Sequence, residues 1–268
     1  MTLTDRQRNE LEYHREHARE NKDVLEKPFE WDVLKFPGKR WWNAYWKMFA
    51  FLASQNLRDK RVLVVGCGFG DDAIRLSRLG AQVYAFDLSP DSLKIARKLA
   101  EREGESVNFE QMPAETMTYE DNFFDAVVAR DILHHVDIPE TMKEIQRVCK
   151  DGALFVVDEI YSHSITDKIR HNTLVEKIIY PRMQRFIYGS RKPYITVDER
   201  KLSERDIAQI SEPLGSMLFK KYFNFVVTRI VPDRYDWACK IDRVLMMVLK
   251  PVAGLLAGRV LFAGNIAK

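Results

Sequence analysis

The stretch RVLVVGCGFGDDA (residues 61–73) sets Gly66, Gly68 and Gly70 between an apolar run and a segment that opens on Asp71 and Asp72. Glycines in a strand-to-helix turn let backbone approach a ligand, and the first helical turn offers unpaired N–H groups. That is chemistry for a nucleotide-bearing ligand, and the spacing discriminates among such ligands. A dinucleotide fingerprint puts Gly or Ala where Asp71 stands, and two carboxylates there would repel a pyrophosphate. No Gly-Lys-Ser/Thr follows, which excludes a Walker loop. A ligand with a positive centre and an ammonium group suits the turn better. Asp87 ends a second apolar run, 21 positions after Gly66. A carboxylate there can accept hydrogen bonds from both hydroxyls of a ribose, a device that nicotinamide enzymes also use. His134 and His135 follow another apolar run. An imidazole near its ordinary pKa can take a proton from a hydroxyl, thiol or ring nitrogen; the alternative is that both are structural, one capping a helix and one packing under the ligand.

These residues need a scaffold, and the pattern around them supplies one. Strand-like runs are RVLVVG (61–66), QVYAFD (82–87), VNFEQM (107–112), FFDAVVAR (123–130) and ALFVVDE (153–159), with amphipathic segments between them. Ser89-Pro90-Asp91 opens one of those segments with a serine cap and a proline in the first helical turn. Apolar strands alternating with helices imply an α/β fold, a doubly wound and mostly parallel Rossmann-like sheet. Later, LSERDIAQIS (202–211) carries a capping box in which Asp206 replaces the preferred Glu, FKKYFNFVVTRI (219–230) reads as a strand, 236–257 as a helix and RVLFAGNIAK as a last strand. The expectation is seven strands, an N-terminal helical lid over residues 1–58, and a domain over 59–268 with a cap inserted at about 160–202.

Residues 60–160 resemble a class I S-adenosylmethionine-dependent methyltransferase of the small-molecule type. The resemblance rests on VLVVGCGFGDDAIRLSRLGAQVYAFDLSPDSLKIARK, QMPAETM, FFDAVVARDILHHV and RVCKDGALFVVDE, in that order. It implies S-adenosyl-L-methionine as cofactor and methyl transfer as activity. It also implies that Gly66, Cys67, Gly68 and Gly70 meet the methionine and ribose parts, Asp87 the ribose hydroxyls, Leu88 the flank of the adenine, Ala114 and Glu115 its edge, and Arg130 the methionine end. One departure is Val64: the family often has an acidic residue there, so the ammonium must be held by carbonyls or other groups.

The resemblance says little about the acceptor. Glu159 and His163, at and beyond the end of the fifth run, are candidates to touch it. Tyr13, His14 and His17 lie on the N-terminal segment, as lid or as charged helix surface. Trp41, Trp42, Tyr45 and Trp46 are too dense for a surface helix and form either core or a lid over a flat acceptor. Arg182, Arg185, Arg191 and Lys192 are either solvated or bind an acidic group. Cys67 is a small filler rather than a nucleophile.

The formal net charge of +3 conceals a division: +2 over residues 1–60, −8 over 61–160 and +9 over 161–268. An acidic centre does not make a nucleic-acid groove. The basic C-terminal part fits an anionic or amphiphilic small-molecule acceptor, or contact with a membrane surface. Three cysteines without metal spacing imply no metal site and a reducing, cytoplasmic setting. The apolar run from Val244 is broken by Lys250, Pro251 and Arg259 and is no transmembrane segment. Two rivals to a methyltransferase remain: a nicotinamide-dependent oxidoreductase and a non-catalytic S-adenosylmethionine-binding protein.

Overall fold

In the computed structural model, which describes residues 3–173, 200–227 and 231–268 together with 175, 177, 181 and 186, the apolar runs become one seven-stranded sheet. The strands are β1 (Arg61–Val65), β2 (Gln82–Asp87), β3 (Val107–Gln111), β4 (Phe124–Arg130), β5 (Cys149–Ile160), β6 (Leu214–Phe223) and β7 (Arg259–Ile266). They lie in the order β3-β2-β1-β4-β5-β7-β6. All neighbours are parallel except β5–β7 and β7–β6. The chain order reverses between β1 and β4, and a ligand crevice opens at such a switch point, beyond the carboxyl ends of the strands. Gly66 and Asp131 leave the sheet there.

Helices cover both faces. Against one face, α6 (Ile138–Val148) and α8 (Glu204–Ser211) share a core with Val127, Phe155 and Phe262. Against the other, α3 (Ala44–Ser54) and α4 (Asp71–Arg78) pack with Val62, Val128 and Leu261. Local chemistry sets the ends. Ser89 caps α5 (Pro90–Glu103) through the Ser92 N–H, and Gly104 closes it at a φ of 70°. Ser203 and Asp206 form the expected box at α8. A third small cluster, Ala18 with Ile74, Ile95 and Leu99, seats α1 (Asp5–Glu20) on α5 and α4.

Several boundaries differ from the sequence pattern. The N-terminal segment is divided: α1 is separated from α3 by a 3-10 turn (Lys22–Leu25) and a single helical turn, α2 (Asp32–Lys35). β6 begins at Leu214 rather than at Phe219. It is an edge strand with most of its length exposed, so its apolar content is a poor guide to its bounds. The helix from Asp236 stops at Val248 (α9, Asp236–Val248) because Pro251 has no N–H for the next turn; a 3-10 turn and α10 (Ala253–Leu256) follow. Of the inserted cap, α7 (Ser164–Arg170) is described. Arg182, Arg185, Arg191 and Lys192 lie outside the described residues. Among the described residues no helix is long and apolar enough to cross a membrane.

Candidate active site

The glycine turn and Asp87 form one unit. The Asp87 carboxylate is buried; Oδ2 accepts the Gly68 N–H at 2.8 Å and Oδ1 the Ser89 N–H at 2.8 Å. The Cys67 N–H donates to the Phe86 carbonyl at 2.8 Å. These bonds fasten the end of β1 to the end of β2. Gly66 (φ 62°) and Gly68 (φ 51°) are left-handed, a region that L side chains enter at a cost. A Cβ on Gly66 would stand 2.4 Å from the Ile132 side chain, whereas one on Gly68 would meet no atom within 4 Å. The Cβ direction of Gly66 is therefore closed by protein, and that of Gly68 faces open space.

That space is a pair of adjoining cavities, sharing His14, Gly66, Asp87, Ile132 and His135. One is a slot walled by Phe86, Leu88, Met112, Ala114 and Val136, with Glu115 at its edge. The other, of about 440 Å³, runs past Gly68, Phe69, Asp71 and Asp72 to Arg130, His134, Ile160 and Arg259. The expected residues Gly66, Cys67, Gly68, Asp87, Leu88, Ala114, Glu115 and Arg130 all line one cavity or the other.

Helix α1 roofs both. Gln7 Nε2 donates to Glu115 Oε2 at 2.9 Å, and Arg6 Nη2 to the His134 carbonyl at 3.1 Å. The buried Glu10 lies 3.1 Å from His135 Nδ1 and 3.7 Å from His14 Nε2. His17 stacks on Phe69 with ring centroids 5.4 Å apart. Burial holds both His14 and His17 below the ordinary histidine range; for His14 the nearby Asp87 opposes that effect.

At the far end, His134 is buried with Nδ1 2.7 Å from Glu159 Oε2. Glu159 Oε1 also accepts the N–H groups of Ile132 and Leu133, at 2.7 and 2.6 Å. Beside them runs a chain of ion pairs. Arg130 Nε meets Asp72 at 2.6 Å, and Arg130 Nη1 meets Asp131 at 3.1 Å. Arg259 bonds Asp131 at 2.6 Å and Asp158 at 2.7 Å. The Tyr45 hydroxyl donates to Asp72 at 3.1 Å. Asp158 is fully buried, and burial pushes its carboxyl up to about 6 against the pull of Arg259.

Some expected site residues fall elsewhere. Gly70 lies off the cavities: it caps α4 at a φ of 84°, and a Cβ there would stand 3.0 Å from Ala96, so the left-handed turn and close packing, not ligand approach, require the glycine. Trp42 and Trp46 are buried away from the cavities. Trp46 belongs to the core under α3, and Trp42 carries Lys240 over its ring at 4.8 Å. Their density reflects core, because α3 packs on β5 and β7 rather than over the crevice. Glu159 lines neither cavity, its carboxylate being held by His134 and two backbone amides. His163 caps α7 through the Ile165 N–H. Tyr13 lines neither cavity; its ring stacks on His17 and meets His14 edge-on. Conversely Gln7, Glu10 and Arg259 line the site without having been singled out. Glu10 on the same helical face as His14 and His17, at i, i+4 and i+7, was the available signal for the first two. Nothing local marks Arg259, which meets the site only through the pairing of β7 with β5.

Residues 63–157 match the family described as "Methyltransferase domain". They form a class I S-adenosylmethionine-dependent methyltransferase domain. Over 84 residues, 31% of the chain, it is 40% identical to a ubiquinone biosynthesis O-methyltransferase of Methylocella silvestris, covering 33% of that protein. Over 120 residues, 42% of the chain, it is 31% identical to a ubiquinone/menaquinone biosynthesis C-methyltransferase of Pectobacterium atrosepticum, covering 48% of it. The match thus spans between a third and a half of these relatives. The fold as a whole is similar to magnesium protoporphyrin IX methyltransferase from Synechocystis PCC 6803, with a TM-score of 0.59 at 13% identity over 98% of this chain and 100% of that one. The methyltransferase domain holds the turn, the slot and His134; α1 and Arg259 come from outside it.

Proposed function

We propose that the chain moves a methyl group from S-adenosylmethionine to a hydroxyl on a small, apolar or amphiphilic acceptor. The carrying observation is one continuous space that joins the Gly68–Asp87 turn to His134 beneath α1. The residues fit the cofactor. Gly68 opens a cradle that any Cβ would fill. Asp87 offers a buried carboxylate beside it, and an apolar slot with a polar edge matches a purine. Asp87 would take the ribose hydroxyls, Leu88 and Ala114 the faces of the adenine, and Glu115 its edge. Arg130 would line the methionine end. With Val64 apolar, Asp71 on the cavity wall is the carboxylate more open to the ammonium, Asp72 being held by Arg130 and Tyr45. Two acids at a helix N-terminus weigh against the pyrophosphate of a nicotinamide cofactor.

The bound cofactor supplies a methyl group on a sulfonium, which needs no acid to leave. What remains for the chain is alignment, exclusion of water and removal of the acceptor's proton. His134 would remove it. Glu159 holds its Nδ1, which fixes the tautomer whose Nε2 accepts, as in other carboxylate–histidine pairs. His135, tied to Glu10, serves instead to hold the lid. The names of the relatives, O- and C-methyltransferases of ubiquinone biosynthesis, support a lipophilic acceptor.

Calorimetric titration with S-adenosylhomocysteine tests the cofactor site. Asp87→Ala should weaken binding at least about tenfold, a loss of about 1.4 kcal/mol; equal affinity in the variant overturns the assignment. Incubation with methyl-labelled S-adenosylmethionine and a panel of hydroxylated aromatic acceptors tests transfer. Tight cofactor binding with no labelled product across the panel overturns the proposed activity.

A further inference from the structure

Two excursions leave the sheet at the same rim. One follows β5 after Ile160, the other lies between Phe223 of β6 and Arg259 of β7, and both Ile160 and Phe223 pair with Arg259. Ile160 and Arg259 also line the larger cavity, so the excursions flank its mouth. Helix α9 in the second excursion has an outward face of Trp237, Ile241, Val244 and Val248, at i, i+4, i+7 and i+11. These side chains are 63%, 61%, 50% and 72% exposed, although the opposite face (Ala238, Asp242, Met246) is buried. The orientation is fastened by polar groups. The Asp242 carboxylate accepts the N–H groups of Phe225 and Val226 at 3.0 and 2.7 Å, and Arg243 donates to the Tyr222 carbonyl at 2.7 Å. Helix α7, which touches α10, adds exposed Ile165 and Ile169. A helix pinned so that its apolar stripe faces outward needs something apolar to cover it.

We propose that this rim seats the protein on a bilayer containing anionic lipid, with Trp237, Ile241, Val244 and Val248 at the boundary of headgroups and acyl chains. Charge selects this occupant. The two excursions carry +3 (residues 161–213) and +2 (residues 224–258) while residues 61–160 carry −8, so an anionic surface draws the excursions in and turns the acidic part of the body away. Exposed Lys240 and Lys250 flank the stripe on α9 and just past its end. An amphipathic helix with tryptophan in its apolar face and lysines beside it lies in an interface rather than across it. The cavity mouth then opens at the lipid surface, where an amphiphilic acceptor would be concentrated. The inference does not rest on methyl transfer, because vesicle binding is read without cofactor or acceptor.

Co-sedimentation of the full chain with phosphatidylcholine vesicles, with and without phosphatidylglycerol, tests it. The expected result is binding to the anionic vesicles that weakens with added salt. The double variant Trp237→Glu/Ile241→Glu should lower it at least about tenfold, with the melting temperature and S-adenosylhomocysteine affinity unchanged. Absence of binding to anionic vesicles overturns the proposal, as does binding that the double variant retains. A dimer in size-exclusion chromatography that the double variant dissociates, without vesicle binding, would assign the stripe to a second copy of the chain instead.

Discussion

Gly66 and Gly68 stand two residues apart in one turn, both left-handed and both on the cavity wall, yet only at Gly68 would a side chain point into open space. Gly66→Ala puts a Cβ against Ile132 and should cost about 2–3 kcal/mol of stability, from strain and overpacking together. Gly68→Ala carries only the backbone cost of about 1–2 kcal/mol, but its methyl group enters the cavity. Cofactor affinity should therefore fall at least about tenfold. Thermal unfolding and calorimetry on the two variants separate these outcomes: a larger stability loss at Gly68 than at Gly66 would contradict the geometry. His134 and Glu159 make a second residue-scale prediction. His134→Gln should lower kcat about a hundredfold or more and remove the acidic limb of its pH profile, with little change in cofactor affinity. Glu159→Gln should lower kcat less and shift that limb to lower pH, because a neutral partner stabilises imidazolium less well.

Helix α1 closes the crevice through side chains that titrate. His14 and His17 are held below their ordinary pKa of 6.5 by burial. The docked lid thus binds fewer protons than the undocked one, and docking is favoured above that pKa and lost as pH falls below it. Asp87 and Glu10 partly oppose the effect at His14, while His135 adds to it. S-adenosylhomocysteine affinity should accordingly decline between about pH 7 and pH 5, and His14→Gln should flatten the decline. A flat profile in the parent chain would show that α1 does not gate the site. This lid was only half legible in the sequence. Its apolar stripe is narrow, and Glu10 reads as surface charge until His135, 125 positions later, is brought beside it. The aromatics Trp41, Trp42, Tyr45 and Trp46 left core and lid both open for the opposite reason: a buried helix and a lid have the same composition.

Across the whole molecule, Arg259 joins the last strand to Asp131 and Asp158, so the far C-terminal region completes the rim of the crevice. Arg259→Ala leaves a fully buried Asp158 without that cation, and should cost about 2–4 kcal/mol in chemical denaturation. Asp158→Asn in the same background should restore part of the loss. Asp158 also gives stability a pH dependence opposite to that of His14. With a folded pKa of about 6 against an ordinary 3.8, its contribution is complete below pH 3.8 and lost as pH rises through 6. Asp158→Asn should therefore raise stability more at pH 8 than at pH 5, and denaturation at the two pH values checks the sign.

What the sequence determined by itself was everything carried by local spacing: the strand–glycine–helix turn, Asp87 at a strand end, the alternation that makes a parallel sheet, and the domain of residues 63–157. Those features are encoded within a few residues of one another, where backbone dihedrals and periodicity act. The tertiary structure alone decided which side chains face the crevice. Gly70 and Trp46 went into packing, Glu159 turned to hold a neighbour, and Gln7, Glu10 and Arg259 arrived from the two ends of the chain. It also decided that α9 turns its apolar stripe outward, because Asp242 and Arg243 pin the opposite side to the end of β6. Such choices depend on contacts between residues far apart in sequence, and no local pattern encodes them.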